Sequence, residues 1–277
     1  MAKDVVVIIG AGGIGLAIAR RQGIGKTLLL ADVNQKTLEA AADGLRGASY
    51  KVETHLVDVS SRASVIELAK AAAELGPVMQ VVNTAGLSPN MAPVDRVLAV
   101  DLYGSAVVFE EFEKVVASGG AGLIISSTAG HMMPALPPEQ DHALAFTPAG
   151  ELLDLPFLKG DAIPNTLVAY MMAKRANNLR VQAAAVSWGE RGARVNSICP
   201  GIIVTPLARH ELESEIGHIY RAMVDASATK RMAPPDEIAG AAAFLLGPDA
   251  GFITGSDLLI DGGVIAAMRA GKLPTPG

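Results

Sequence analysis

The stretch "VVVIIGAGGIG", residues 5–15, decides the fold. Five apolar, strand-favouring residues run into a glycine turn, and "LAIARRQG" then continues as a helix. A G-x-G-x-x-G turn between a strand and a helix lets the backbone approach a pyrophosphate, whose charge the helix N-terminus stabilises. We therefore expect a dinucleotide to bind at Gly10, Gly12, Gly13, Ile14 and Gly15. The simpler alternative is a tight turn without a ligand.

The rest of the chain alternates apolar runs of strand length with helical patterns. The predicted strands cover residues 5–9, 27–32, 50–59, 78–83, 122–127, 193–201 and 257–263. Strands that alternate with helices favour a parallel sheet that is covered on both faces. We predict an α/β protein with a Rossmann-type, doubly wound, mainly parallel sheet of seven strands, in one domain over residues 1–277.

The composition excludes several classes of protein. The net charge of −5 argues against a nucleic-acid partner, and no apolar run reaches the ~20 residues that a membrane span needs. The single cysteine, Cys199, excludes an internal disulfide framework, favours a reducing cytoplasmic location and is interpreted as a core residue. The five histidines show no metal-ligand spacing, so no metal site is predicted.

An acidic residue ends the second predicted strand. Asp32 follows Gly10 by 22 positions, where a carboxylate can accept hydrogen bonds from an adenosine ribose and repel a 2′-phosphate. The next residues, Val33 and Asn34, carry no positive charge. We therefore predict NAD rather than NADP, with Asp32 and Val33 among the cofactor-binding residues. The alternative is an ordinary helix-capping aspartate.

A tyrosine and a lysine share one face of a predicted helix over residues 166–189. Tyr170 and Lys174 are four positions apart, which places them one helical turn from each other. A free phenol titrates near 10, and a neighbouring ammonium group favours its ionised form. Ser127 ends the fifth predicted strand and could bring a hydroxyl beside them. Taken alone, this spacing is common and the serine fits a strand-end turn.

Together these motifs resemble those of the short-chain dehydrogenase/reductase family over nearly the whole chain. The resemblance rests on "LVDVSS" (56–61), "NTAG" (83–86), "SSTAG" (126–130), "PGIIVT" (200–205) and "FITGSDLLIDGG" (252–263). It implies that Asp58 and Val59 contact adenine, and that Asn83 stabilises the sheet while Ala85 and Gly86 make room for the cofactor. It also assigns Pro200, Gly201, Ile203 and Thr205 to the nicotinamide side.

The resemblance further implies an NAD(H)-dependent oxidoreductase that interconverts a secondary alcohol and a ketone. Tyr170 would be the acid or base, Lys174 would lower its pKa and bind the nicotinamide ribose, and Ser127 would position the substrate oxygen. A homotetramer or homodimer is implied as well. The rival hypothesis is a catalytically weak or inactive NAD-binding sensor on the same fold.

Three features depart from the family's usual pattern. The glycine motif is one residue shorter, so its turn is expected to close more tightly. Asp101, in "AVDLYG", stands where the family has an asparagine linked to the proton relay, and is predicted to replace it or to weaken catalysis. The proline-rich segment 131–165 separates Ser127 from Tyr170 and is predicted to be a lid that favours a hydrophobic substrate. A subunit contact or a disordered loop is the alternative.

Overall fold

The computed structural model describes residues 3–214 and 217–274, without the side chains of Asp161, Leu207 and His210. Seven parallel strands form one sheet in the order β3-β2-β1-β4-β5-β6-β7. The strands are β1 Val5–Ile9, β2 Thr27–Asp32, β3 Lys51–Leu56, β4 Val78–Asn83, β5 Val116–Ile125, β6 Arg194–Pro200 and β7 Asp257–Ile260. This confirms the predicted Rossmann-type, doubly wound fold.

Helices cover both faces of this sheet. They are α1 Gly13–Gln22, α2 Gln35–Gly47, α3 Arg62–Leu75, α4 Val94–Val97, α5 Ser105–Glu113, α6 Ala129–Met132, α7 Pro138–Phe146, α8 Ala149–Leu152, α9 Thr166–Glu190, α10 Pro206–Glu213, α11 Gly217–Ala226, α12 Pro235–Leu246 and α13 Val264–Arg269. In the described part of the chain, none of them combines the length and apolar character that crossing a bilayer requires.

The central strand β1 shows why its apolar run is continuous. Val5, Val7 and Ile9 point into the core formed with α3, α5 and α9, whereas Val6 and Ile8 point into the core formed with α1, α2 and α12. All five residues are fully buried, as expected for a parallel strand between two helical layers. Strand order reverses between β1 and β4, so a crevice forms beyond their carboxyl ends, where such folds bind ligands.

Several element ends differ from the sequence prediction. The third strand stops at Leu56, which leaves Asp58 and Val59 in the loop after it. The fifth strand begins at Val116 rather than at 122 and ends at Ile125. The predicted helix over 91–117 is shorter, from α4 to α5, and contains a π-helical segment, Leu98–Gly104, around Asp101.

The segment 131–165 folds into short helices rather than one regular helix. Pro138 is the first residue of α7 and Pro148 directly precedes α8, positions that tolerate a missing N–H. Five of its apolar side chains are buried in the core next to α9: Leu144, Ala149, Leu152, Leu158 and Ile163. The buried guanidinium of Arg180, on α9, donates to the carbonyl oxygens of Leu144 and Thr147 at 3.0 and 2.8 Å. The segment is therefore an integral part of the α9 layer.

Candidate active site

The glycine turn closes tightly against β4. Gly10 has φ +96°, and a Cβ on Gly15 would lie 2.0 Å from the carbonyl oxygen of Gly10. The Thr84 hydroxyl, which follows β4, is 2.9 Å from the same oxygen and takes part in holding the turn. Glycine at both positions thus explains how a motif one residue short can still form.

The first turn of α1 is open to an anion. Gly12 caps this helix, and a Cβ placed on it would meet nothing within 4 Å. The N–H groups of a first helical turn have no intrahelical partner and attract negative charge. Gly13 and Ile14 begin the helix, and a Cβ on Gly13 would lie 3.1 Å from the Thr205 side chain. Thr205 therefore lies directly beside the glycine turn.

Asp32 joins the glycine turn to the end of β2. Its carboxylate accepts hydrogen bonds from the Ala11 N–H and the Asn34 N–H, both at 2.8 Å. A carboxylate offers about four acceptor positions, so it retains capacity for a ribose hydroxyl. The Val33 side chain beside it is exposed. Asp32 thus stabilises the glycine turn and is also a candidate ligand for the ribose. It does not cap α2, because the side chain of Asn34 does so.

Asp58 and Val59 lie in the loop after β3, at the same edge of the sheet. Asp58 accepts hydrogen bonds from the Ser60 N–H at 2.9 Å and the Ser60 hydroxyl at 2.6 Å. Burial favours the neutral acid, but Ser60 and Arg96 outweigh it and hold the pKa of Asp58 below its usual value. Val59 is buried and packs against Gly104, where a Cβ would lie 2.8 Å from it.

The "NTAG" segment (83–86) lies at the end of β4, beside the predicted catalytic residues. Asn83 is 3% exposed, and its side-chain oxygen accepts a hydrogen bond from the Ala85 N–H at 3.1 Å. This contact turns the chain sharply at the end of β4. A Cβ on Gly86 would lie 2.7 Å from Asp101 Oδ1 and 3.3 Å from Lys174 Nζ. Gly86 therefore leaves the space that the Asp101 and Lys174 side chains occupy.

The four predicted catalytic residues lie close together beside the "NTAG" segment. They are Asp101, Ser127, Tyr170 and Lys174. Lys174 Nζ is 2.9 Å from Asp101 Oδ1 and 5.2 Å from the centre of the Tyr170 ring. The Ser127 side chain lies near enough to the Tyr170 hydroxyl to lower the pKa of Tyr170. The Asp101 and Lys174 side chains are 0% and 5% exposed, so this ion pair is shielded from water.

The charges of this group act on one another. Burial raises the pKa of Tyr170; Lys174 lowers it, Asp101 and Glu211 raise it, and the net value stands above the ordinary one. Burial alone would lower the pKa of Lys174, but Asp101 and Tyr170 raise it. Burial raises the pKa of Asp101 against the pull of Lys174. The expected lowering of the tyrosine pKa by Lys174 is thus present but outweighed.

The backbone around Asp101 is held from several sides. The Leu87 N–H donates to Asp101 Oδ2 at 3.0 Å, and the Asn177 amide donates to the Asp101 carbonyl oxygen at 3.1 Å. The Ser105 hydroxyl donates to the same carbonyl at 2.9 Å. A π-helical turn displaces carbonyl groups from the regular ladder, and such turns are frequent at functional sites. Asn177 is a supporting residue that the sequence motifs did not reveal.

Ser127 and Lys174 are positioned by contacts between the segment that follows β5 and α9. The neighbouring Ser126 hydroxyl donates to the Lys174 carbonyl oxygen at 2.9 Å. A Cβ on Gly130 would lie 2.8 Å from the Lys174 carbonyl carbon, so this glycine permits α6 to approach α9. The "SSTAG" motif therefore works as a unit: its first serine and its glycine fix α9, and Ser127 faces the tyrosine.

The segment that begins at the end of β6, residues 200–205, lies at the same carboxyl edge of the sheet as the glycine turn. The Pro200 carbonyl oxygen accepts from the Thr128 N–H at 2.9 Å, and the Gly201 N–H donates to the Ile260 carbonyl oxygen at 2.9 Å. Ile203 is 5% exposed and forms an isolated bridge with Ala233. Thr205 caps α10 through its hydroxyl. Glu211, on that helix, is 4% exposed and raises the pKa of Tyr170, which no motif indicated.

A separate cluster lies between α6, β6 and β7. His131, Cys199 and Asp257 place their donor atoms within 4.8 Å of one another. A hydrogen bond to Asp257 and the nearby Cys199 raise the pKa of His131 to about 10. Cys199 is fully buried, in agreement with its interpretation as a core residue. Spacing along the chain does not reveal a cluster that is assembled from three distant segments, so no motif in the sequence indicated it.

The fold and these motifs have counterparts in known proteins. Residues 4–137 match the family model described as short chain dehydrogenase, and residues 139–265 match the one described as Enoyl-(Acyl carrier protein) reductase. A short-chain dehydrogenase/reductase of Alternaria brassicicola is 40% identical over 267 residues, covering 96% of this chain and 97% of that protein. D-threitol dehydrogenase of Mycolicibacterium smegmatis is 31% identical over 271 residues, covering 94% and 92%.

A solved structure shows the same architecture. The short-chain dehydrogenase/reductase from Serratia marcescens superposes with a TM-score of 0.73 at 26% identity, and the match covers 96% of this chain and 98% of that one. Sequence, family models and fold agree over nearly the full length. The chain belongs to the short-chain dehydrogenase/reductase family.

Proposed function

We propose that this protein is an NAD(H)-dependent oxidoreductase that interconverts a secondary alcohol and a ketone. The observation that carries the proposal is the meeting of Ser127, Tyr170 and Lys174 at the edge of the sheet that also bears the glycine turn. A proton-transfer group and a dinucleotide cradle at one crevice are what hydride exchange with an alcohol needs.

The residues at the crevice fit a nicotinamide dinucleotide. Side chains at Gly10 and Gly15 would collide with the Thr84 hydroxyl and the Gly10 carbonyl oxygen, so only glycine permits the tight turn that precedes the open first turn of α1. Asp32, at the end of β2, supports NAD over NADP, because a second negative charge on the ribose would face its carboxylate. When bound, the nicotinamide ring exchanges a hydride with the carbinol or carbonyl carbon. By resemblance, Lys174 holds the nicotinamide ribose, and Pro200, Gly201, Ile203 and Thr205 line the amide side.

Proton transfer falls to Tyr170. In oxidation, the ionised phenol accepts the proton from the substrate hydroxyl as the hydride leaves the carbinol carbon; in reduction, the phenol returns a proton to the carbonyl oxygen. By resemblance, the Ser127 hydroxyl beside Tyr170 positions the substrate oxygen. Lys174 stabilises the phenolate, and the raised pKa of Tyr170 favours the protonated phenol at neutral pH. That balance suits carbonyl reduction near neutrality and alcohol oxidation at higher pH.

A second candidate function is supported by the Asp101–Lys174 ion pair. The Asp101 carboxylate lies 2.9 Å from Lys174 Nζ and partly neutralises the positive charge that would otherwise stabilise the Tyr170 phenolate. A protein that retains the dinucleotide cradle but turns over slowly would act as an NAD sensor. Cofactor binding without turnover on any alcohol or carbonyl would favour this candidate.

We propose further that residues 131–165 cover the substrate side of the crevice and favour an apolar substrate. The segment leaves the sheet directly after the Ser127 motif and returns just before Tyr170. Its Met133 and Leu136 are partly buried against the core. The alternative is a contact between subunits of a homotetramer or homodimer, which the 59% exposed side chain of Phe146 supports.

The test of the proposed function is a panel of alcohols and carbonyl compounds, polyols included, with NAD(H) and NADP(H). The absorbance of the reduced nicotinamide follows each reaction. We expect turnover with NAD(H), and a lower kcat/KM with NADP(H). A preference for NADP in binding titrations would overturn the cofactor assignment.

A further inference from the structure

Three side chains of metal-binding type meet outside the group formed by Ser127, Tyr170 and Lys174. His131 belongs to α6, Cys199 to β6, and Asp257 opens β7. His131 Nε2 is 2.8 Å from Asp257 Oδ2, and the Cys199 sulfur lies within 4.8 Å of both donor groups. An imidazole, a thiol and a carboxylate at this separation can close on one ion through small side-chain movements.

The register between β6 and β7 explains why Cys199 and Asp257 lie close together. Ser197 pairs with Asp257, and Cys199 pairs with Leu259 in the parallel β6–β7 ladder. Residues two apart on a strand point to the same face of the sheet, so Cys199 and Asp257 are diagonal neighbours on one face. The Cys199 sulfur is 3.3 Å from Asn178 Oδ1, which identifies that face as the one covered by α9.

His131, the third residue of the cluster, is brought there by the close approach of α6 to α9. Gly130 permits that approach, because a Cβ there would collide with the backbone at Lys174. The next residue is His131, whose ring thereby reaches the face that carries Cys199 and Asp257. The cluster therefore depends on the same glycine that positions the catalytic helix.

The donor set and its surroundings match a zinc site. Zinc takes histidine nitrogen, cysteine sulfur and aspartate oxygen, and sites with three protein ligands keep a fourth position for water or another ligand. Cys199 is fully buried, and its thiol donates to Asn178 Oδ1 at 3.3 Å. Once the thiol is ionised on a metal, the Asn178 amide can turn its NH2 group toward the sulfur and orient it from outside the ligand set. His131 also lines a cavity of about 310 Å³ with Met132, Met133 and Met268, which gives room for a fourth ligand.

We propose that His131, Cys199 and Asp257 bind one zinc ion per chain. His131 follows Ser127 by four positions, so the ion would join the loop that carries the catalytic serine to the two last strands of the sheet. Binding that favours the folded chain raises its melting temperature. At a hundredfold excess over Kd we expect a rise of about 5 °C.

The experiment uses the full chain, freed of metal by a chelator and then titrated with Zn²⁺ and, separately, Co²⁺. Calorimetry gives the stoichiometry and Kd for Zn²⁺, and absorbance with Co²⁺ reports a thiolate-to-metal charge-transfer band that requires Cys199 as a ligand. We expect one ion per chain and that band. The variants His131→Gln, Cys199→Ser and Asp257→Asn should each weaken binding at least about tenfold.

The matched control is His142→Gln, since His142 is an exposed histidine outside the cluster. It should bind zinc as the unmodified chain does, and far-ultraviolet circular dichroism checks that each variant is folded. If Cys199→Ser does not fold, Asp257→Asn and the cobalt band of the unmodified chain decide. No stoichiometric zinc binding, a cobalt complex without the thiolate band, or undiminished affinity in folded Asp257→Asn would overturn the proposal. The three residues would then form an ion pair beside a buried thiol.

Discussion

The ammonium group of Lys174 lies 2.9 Å from the Asp101 carboxylate, and both side chains are shielded from water. The Lys174 ammonium group is also 5.2 Å from the ring centre of Tyr170. Its positive charge therefore interacts with both the Asp101 carboxylate and the Tyr170 phenol. Burial raises the pKa of Tyr170 and Asp101 raises it further, so the net pKa stands above the ordinary value although the Lys174 ammonium group lowers it. Asp101 is therefore the residue through which the proton chemistry of this site can be adjusted.

We expect Asp101→Asn to shift the pH profile of alcohol oxidation toward lower pH. The Asp101 carboxylate raises the pKa of Tyr170, so its replacement by a neutral amide lowers that pKa and forms phenolate at lower pH. Activity at neutral pH should be retained or increased. The measurement is kcat/KM against pH with the best alcohol of the panel.

The matched control is Asp141→Asn. Asp141 also pairs with a basic residue of α9, Arg175, with Arg175 Nε 2.8 Å from Asp141 Oδ1. Its removal should leave the pH profile unchanged. Identical profiles for Asp101→Asn and the unmodified protein would show that Asp101 does not influence the proton transfer.

The glycine turn, the strand order and the catalytic motif were predictable because each is encoded locally. Gly10, Asp32 and the Tyr170–Lys174 spacing lie on short segments whose context is visible in the sequence. The Asp101–Lys174 ion pair was not predicted, because it joins side chains from two helices through a π-helical turn that periodicity does not reveal.

The segment 131–165 and the element ends escaped prediction for a different reason. Its prolines suggest an irregular connection, but tertiary contacts from the buried guanidinium of Arg180 fix two short helices there. The fifth strand extends back to Val116 through glycines, which sequence patterns assign to turns. Contacts between distant residues decided these features.

Asp32→Ala should weaken NAD binding by about tenfold and NADP binding by much less. A hydrogen bond to a charged group is worth roughly 1.5–3 kcal/mol, and only the unphosphorylated ribose can use this carboxylate. Because Asp32 also accepts from the Ala11 N–H, some loss is expected for both cofactors. Calorimetric titrations with each dinucleotide measure the difference. Equal losses would mean that Asp32 is only a strut of the turn.

Gly86→Ala should destabilise the protein by about 1–3 kcal/mol, as overpacking does in a well-filled interior. The added methyl group would meet Asp101 Oδ1 at 2.7 Å and displace the ion pair. Gly44→Ala is the control: this glycine lies inside α2 with open space around it, and alanine there should stabilise by about 1 kcal/mol. Chemical denaturation compares the two variants. A stable Gly86→Ala with normal kinetics would contradict the assigned role of this glycine.

Met133→Ala combined with Leu136→Ala should raise KM, with NAD binding and assembly preserved, if the segment covers the substrate, because both side chains are only partly buried against the core. Phe146→Ser is the companion variant, since its exposed ring can be removed without opening the core. Kinetics and light scattering are measured on both. A loss of oligomer with per-site kinetics intact would assign the segment to a subunit contact instead.

The most direct test of the central claim is the turnover of Tyr170→Phe, set beside its affinity for NAD. The variant lacks the phenolic oxygen that we propose carries the proton, whereas the proposed dinucleotide site at the glycine turn and Asp32 is untouched. We predict that kcat falls by about 10²–10⁴-fold while the Kd for NAD stays within about twofold, and that Tyr50→Phe, whose hydroxyl donates to Arg20 instead, changes neither. Turnover of Tyr170→Phe at the rate of the unmodified protein would contradict the account.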